Sequence, residues 1–297
     1  MRIKIGGVMY RPGAPTFALA THASTAYSDS SVHLPASRVQ YMRRFPSLLF
    51  YLIVCTSHGA TPLPQVIFFA NPMTSDNDVV RRPAPDVLSV AERHFRALSE
   101  GIFDVTITQN GADLTREALS RVQAVVFFTA INPPGTDIDG LVAWVREGGA
   151  FIAIHSTANT YQRIPAFGEL LGARYDRRPW RTAQAPQTNV RIKVLDRTHP
   201  ATRHLGESFT IADDIYQFKE LDHAHVKILL RLDPSRLDLE NAKVNRNDTL
   251  FPVAWTRTLG KGRVFYTALG DWEPTWIDPR YRTHLIEGIK WAMRAPE

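Results

Sequence analysis

Short, unbroken apolar runs alternate with amphipathic stretches along residues 65–156. QVIFFA (65–70), DVTIT (104–108), AVVFFTA (124–130) and AFIAIHS (150–156) read as strands, and three of the four are apolar enough for burial on both faces. Between the first two, Asp86 precedes VLSVAERHFRALSEG, where Val87, Val90, Ala91, Phe95 and Leu98 fall at helical spacing. Asp86 is the expected N-cap and Gly101 the expected stop. Leu114–Arg121 reads as a second helix, and DIDGLVAWVREGG as a third that ends at Gly148–Gly149. Apolar strands alternating with helices predict a doubly wound, mostly parallel sheet flanked by helices.

The second half changes character. NVRIKVL (189–195), SFTIADDIYQF (208–218), HVKILLRL (225–232), FPVAWTRT (251–258) and GRVFYTAL (262–269) are strand-like with few helical stretches between them. They are expected to add hairpin strands to the parallel sheet. Gly260-Lys261-Gly262 reads as the hairpin turn joining the last two, with the wrong spacing for a phosphate-binding loop. Tyr281–Met293 closes the chain as an amphipathic helix. No linker or repeat interrupts residues 61–297, so they are expected to form one domain. Ligands of such sheets bind beyond the carboxyl ends of the strands, which directs attention to Asn71, to Thr129 through Asn132, and to His155 through Thr157.

Upstream of the domain, MRRFPSLLFYLIVCTSHGATPLPQ begins at Met42. Two arginines, an apolar run from Phe45 to Cys55 and then small residues have the layout of a secretory signal. The run is 11 residues, whereas a spanning helix needs about 20. Residues 42–60 are therefore expected to be a signal peptide, the mature protein to be periplasmic or secreted, and no membrane span to remain after processing. Val54 stands where a lipoprotein signal would have a small residue, which disfavours an anchor at Cys55. Residues 1–41, rich in Ser, Thr, Ala and Pro, are expected to be a non-native upstream extension, with translation starting at Met42.

Charge and cysteine then exclude several classes. The chain carries +6 overall, from 35 bases and 29 acids, but residues 1–60 contain six bases and one acid, leaving 29 against 28 for the rest. A body near neutrality lacks the clustered cations of a phosphate-backbone binder, so nucleic acid is not an expected partner. Cys55 is the single cysteine, so the processed domain would have no disulfide, thiolate metal site or cysteine nucleophile.

Several motifs occur in a distinctive order: GGAFIAIHSTANTY, IPAFGELLGARY, DRTHPATRHL, IADDIYQF and GRVFYTALGDWEPTWIDPRYRTHLIEGIKWA. In order and spacing they resemble the ThuA-like, trehalose-utilisation family from about Gln65 to Ala292. The resemblance implies a class I glutamine-amidotransferase-like, flavodoxin-like fold and a role in the use of trehalose or related disaccharides and keto-sugars. That fold usually carries a cysteine on its strand-to-helix elbow. Here the elbow reads Ile154-His155-Ser156-Thr157, so thiol amidase chemistry is ruled out by residue identity.

The candidate catalytic residues are His155, Asp214 and His199. His155 follows a strand and could serve as base, hydrogen-bond donor or metal ligand, or could simply tie down the elbow. Asp213–Asp214 matches an acidic-pair-then-Tyr motif. Neighbouring strand residues face opposite ways, so Asp214 is chosen for the site with Tyr216 on its face, and Asp213 is left to hold a loop. His199-Pro200 matches a His-Pro motif. At Gly270–Asp271 the family commonly has Gly–His, so Asp271 takes that place. Ser156, Tyr216, Asp271, Trp272 and Trp276 are the candidate substrate contacts, the tryptophans because a sugar's CH face packs on an aromatic plane. Core packing is the competing reading for the tryptophans and is preferred for Tyr266. A divalent metal is the candidate cofactor, on His155, His199 and Asp214. Arg81 and Arg82 could bind an acidic sugar or be solvated loop charges. The expected ligand is a small carbohydrate, bound by a sugar-processing enzyme or by a non-catalytic accessory module. A serine hydrolase using Ser156 is a third reading, although Ile154 and Ala158 replace the glycines of the usual nucleophile motif.

Overall fold

The structure, a computed structural model, describes residues 62–72, 79–129, 132–181 and 188–294, all within the compact unit Gly59–Glu297. The expectations for residues 1–41 and for the signal at 42–60 lie outside the described residues. Among those described, no helix is long and apolar enough to cross a membrane.

In chain order the elements are β1 (Gln65–Asn71), α1 (Val90–Ser99), β2 (Asp104–Thr108), α2 (Arg116–Ser120), β3 (Ala124–Thr129), α3 (Ile138–Glu147), β4 (Ala150–Ile154), α4 (Pro165–Leu171), β5 (Arg174–Arg177), β6 (Thr188–Val194), β7 (Ser208–Asp213), β8 (Gln217–Lys219), β9 (Val226–Leu232), β10 (Pro252–Leu259), β11 (Gly262–Thr267), α5 (Glu273–Ile277) and α6 (Pro279–Met293). Nine strands form one sheet in the order β2-β1-β3-β4-β11-β10-β9-β6-β7, while β5 and β8 form a separate ribbon. The first five are mutually parallel, in the flavodoxin-like order with β11 as the fifth strand. The last four join antiparallel. The expected doubly wound sheet with added hairpin strands is the fold observed.

Burial explains the apolar runs. Val66–Ala70 and Ala150–Ile154 are buried at every position, because helices cover both faces of the parallel half. Aromatic rings fill the layer, with Phe68 stacked on Phe95 of α1 at 4.3 Å and Phe127 contacting Phe69, Phe151 and Phe167.

Two local expectations need correction. Helix α1 starts three residues later than its pattern suggested, with Ser89 rather than Asp86 as N-cap. Ser89 Oγ accepts from Glu92 N, and the Glu92 carboxylate accepts from Ser89 N, forming a complete capping box. Val87, counted on the apolar face, is exposed. Residues 208–218 are not one strand either. The chain leaves the sheet at Asp213, whose carboxylate accepts from the Asp214 N–H, and resumes as β8 in the ribbon with β5.

Strand direction fixes which residues share an edge. Asn71 pairs with Thr129, and Ile154 with Thr267, so His155 and Ala268 emerge together at the carboxyl edge. Counting antiparallel steps from β11, β7 runs in the same sense as β4 and delivers Asp213 to that edge. β6 runs the other way and delivers the segment after Val194 to the opposite one.

Candidate active site

At the end of β4 the backbone turns sharply into a 3-10 turn, His155–Asn159, and His155 adopts a left-handed φ of 42°. That conformation is uncommon for a residue with a Cβ and marks a strained elbow. The imidazole is fully buried. Its Nδ1 lies 2.6 Å from the Ala268 carbonyl, an acceptor only, so Nδ1 carries the proton and Nε2 is the working nitrogen. Tyr216 covers the ring, with centroids 4.2 Å apart, and the Tyr266 hydroxyl donates to the His155 carbonyl at 2.8 Å.

Two carboxylates meet Nε2. Asp271 Oδ1 is 3.3 Å away, without the alignment of a hydrogen bond, since Nε2 is among the buried atoms that have no hydrogen-bond partner. Asp214 is 1% exposed. Its Oδ2 accepts from Arg178 Nη1 at 3.0 Å and Arg181 Nη1 at 2.8 Å, whereas its Oδ1 has no partner among the described residues. One potential ligand atom from each of His155, Asp214 and Asp271 can be chosen so that all lie within 4.8 Å of one another. Burial raises the pKa of Asp271, and the neighbouring Asp214 charge adds to the rise. Burial likewise carries Tyr216 well above its ordinary value, with Asp271 and Asp214 contributing, so its phenol stays protonated at neutral pH.

Asp213 holds this arrangement together. It is fully buried and accepts from Gly270 N (2.8 Å), Asp271 N (3.1 Å), Asp214 N (2.9 Å) and Thr275 Oγ1 (2.9 Å). Burial lifts its pKa to about 6, against the four donors that favour its ionised form. It thereby fixes the backbones of both site aspartates. Gly270 is needed at the turn: its φ is +119°, and a Cβ there would stand 2.7 Å from Tyr281 Oη.

Of the sequence candidates, His155, Asp214, Asp271 and Tyr216 converge. His199 does not join them, which corrects its assignment as catalytic residue and metal ligand. It follows β6, at the opposite edge of the sheet, where its ring packs on Trp291 at 5.0 Å and its Nδ1 accepts from Ala201 N. Trp276 is not a sugar platform. It is buried between Phe68, Phe128 and Tyr281, with Nε1 donating to the Gly270 carbonyl. Trp272 is 37% exposed, directly after Asp271. Ser156 Oγ is buried and makes no hydrogen bond among the described residues, so no imidazole among them is placed to activate it. Arg82 is committed to Glu92, with Nε 2.8 and 3.0 Å from its oxygens, and serves the helix cap.

Sequence reasoning missed Arg178, Arg181 and Tyr175. The run RYDRRPWR at 174–181 was their only local signal. Tyr175 packs edge-on against Tyr216 at 4.7 Å, the ring that covers His155. Burial works against the Arg178 charge, but the Asp214 carboxylate outweighs it and raises the pKa.

A family model described as ThuA, trehalose utilisation, matches residues 79–292. Among solved structures, a ThuA-like protein from Bacteroides uniformis superimposes with a TM-score of 0.64 at 21% identity, covering 80% of this chain and 94% of that one. A ThuA-like protein from Parabacteroides merdae gives 0.57 at 18% identity, over 78% and 90%. At these identities the likeness speaks for the fold. The curated proteins contain no match.

Proposed function

We propose, from the premise that the chain belongs to the ThuA family of trehalose-utilisation proteins, that it is a carbohydrate-processing enzyme whose His155, Asp214 and Asp271 hold a divalent metal. The observation that carries this is the pair of buried atoms, His155 Nε2 and Asp214 Oδ1, left without partners beside Asp271. In the neutral ring with its proton on Nδ1, Nε2 would present a lone pair to Asp271 Oδ1 across 3.3 Å. Two acceptors facing each other in a buried site repel unless positive charge lies between them. One imidazole and two carboxylates form a donor set suited to a divalent ion of intermediate hardness, and such an ion would also relieve the repulsion between Asp214 and Asp271.

Bound there, a divalent cation supplies Lewis-acid polarisation of a substrate oxygen. The Ala268 carbonyl fixes the His155 tautomer, as outer partners of ligating histidines do. Tyr216 shields the imidazole and keeps a phenolic proton for donation to a sugar oxygen. Asp213 holds the Asp214 and Asp271 backbones in place. Trehalose, related disaccharides and their keto derivatives are the substrates this reading favours. The leader at 42–60 supports export to the periplasm or beyond as the place of action.

The test is metal content and turnover on the same preparation. Full-length protein purified without chelator is assayed for bound metal, then with Mn²⁺, Zn²⁺ or Mg²⁺ against trehalose, its keto derivatives and a glycoside panel. The reading predicts about one metal per chain, lost in His155→Ala, and turnover that falls with it. Sugar binding without turnover by any metal form would convert the enzyme into an accessory module. Neither binding nor turnover across the panel would refute a carbohydrate role.

A further inference from the structure

Arg178 and Arg181 lie on the turn after β5, and each sends one Nη1 to the same oxygen, Asp214 Oδ2. A guanidinium carries five N–H donors in a planar fork and pairs best with a carboxylate through two of them. Among the described residues, neither arginine makes that paired contact. Each guanidinium therefore keeps N–H donors that Asp214 does not use. The other carboxylate within reach, Asp271 Oδ2, is 3.8 Å from Arg181 Nη1, beyond hydrogen-bond length. While Asp214 is 1% exposed, the side chains of Arg178 and Arg181 are 38% and 25% exposed. Two partly exposed arginine side chains thus hold a carboxylate of the site whose imidazole Nε2 has no hydrogen-bond partner among the described residues.

We propose that these two arginines bind an anionic substituent of the substrate, so that the site takes sugars bearing a carboxylate or phosphate in preference to neutral ones. The inference rests on the carbohydrate reading and narrows its substrate class. Tyr175, edge-on against Tyr216, offers an aromatic surface, and the sugar ring would lie across it with its anionic group on the guanidinium pair. Two forks a turn apart hold the group's orientation as well as its charge, which a single ammonium would not.

The experiment is calorimetric titration of the full-length protein with glucuronate, glucose 6-phosphate, glucose and trehalose, at low and at high sodium chloride. At least one anionic sugar is expected to bind tenfold or more tightly than glucose, with the advantage shrinking as salt rises. The glucuronate and glucose 6-phosphate arms tell carboxylate from phosphate. Arg181→Gln is expected to abolish the preference. Arg181→Lys keeps a charge near Asp214 while losing the planar fork, so it should melt near the wild type and still lose most of the preference. Equal affinity for glucose and the anionic sugars, or an unchanged preference in folded Arg181→Lys and Arg181→Gln, would overturn the proposal while leaving a carbohydrate role intact. Binding of none of the four sugars would remove both.

Discussion

Replacing Trp276 separates a structural role from a sugar-stacking role. The indole is almost fully buried, lies 5.8 Å from Phe128 and 5.5 Å from Tyr281, and donates from Nε1 to the Gly270 carbonyl at 2.9 Å. Trp276→Ala removes this packing and leaves a cavity between the sheet and α6, a change that costs about 3–5 kcal/mol. For a domain of this size each kcal/mol lowers the melting temperature by about 2–4 °C, so a fall near 10 °C is expected. Trp276→Phe keeps much of the apolar contact and loses the hydrogen bond, worth about 1 kcal/mol, along with part of the ring. It should fall by only a few degrees. Because Nε1 anchors the carbonyl of the residue before Asp271, both variants should also weaken metal binding, the alanine more. Thermal unfolding followed by circular dichroism, with metal titration on the same samples, measures both effects. A Trp276→Ala protein that melts within about 2 °C of wild type yet loses sugar binding would refute the core assignment.

Other outcomes follow from the same contacts. Burial lowers the pKa of both His199 and His284 to about 4, against about 6.5 in an unfolded chain; the unfolded state therefore binds more protons between those values, and stability is lost as pH falls from about 6.5 towards 4, by up to about 3 kcal/mol per imidazole. Asp213, held near 6 against about 3.9 in an unfolded chain, acts in the opposite sense over most of that window, so the readout is the difference between wild type and His284→Asn in urea midpoint; an identical pH dependence in the two proteins would contradict the assignment. Gly270→Ala forces a Cβ against Tyr281 Oη at φ +119° and should cost about 1–3 kcal/mol while loosening the Asp271 turn; unchanged melting and unchanged metal affinity would count against the turn's role. Ser156→Ala should retain full turnover, and the wild type should resist fluorophosphonate labelling, because Ser156 Oγ has no base; labelling at Ser156 would reinstate a serine nucleophile.

The parallel half was legible because strands buried on both faces must be apolar throughout, as Val66–Ala70 and Ala150–Ile154 are. Helix boundaries were less so. Asp86 and Ser89 are both good caps, and the choice was made by a buried Glu92 that binds Ser89 N and Arg82 together. The break after Asp213 could not be read locally, because it is enforced by bonds to residues 270–275. The same distinction governs the site. His155 was visible from the strand that precedes it, and the motif order drew attention to Asp214 and Asp271. His199 was grouped with them because it too follows a strand; its strand runs antiparallel to β4, and only the sheet order reveals that. Arg178 and Arg181 carry no pattern of their own, since their significance comes from a carboxylate more than 30 residues away in sequence.

The most direct measurement of the central claim is anomalous diffraction from crystals grown with Mn²⁺ or Zn²⁺. A single strong peak is expected about 2.0–2.3 Å from His155 Nε2 and from one oxygen each of Asp214 and Asp271, absent in crystals of His155→Ala. A peak confined to the His199 edge of the sheet, or none at all with His155 Nε2 donating a proton directly to Asp271, would contradict it.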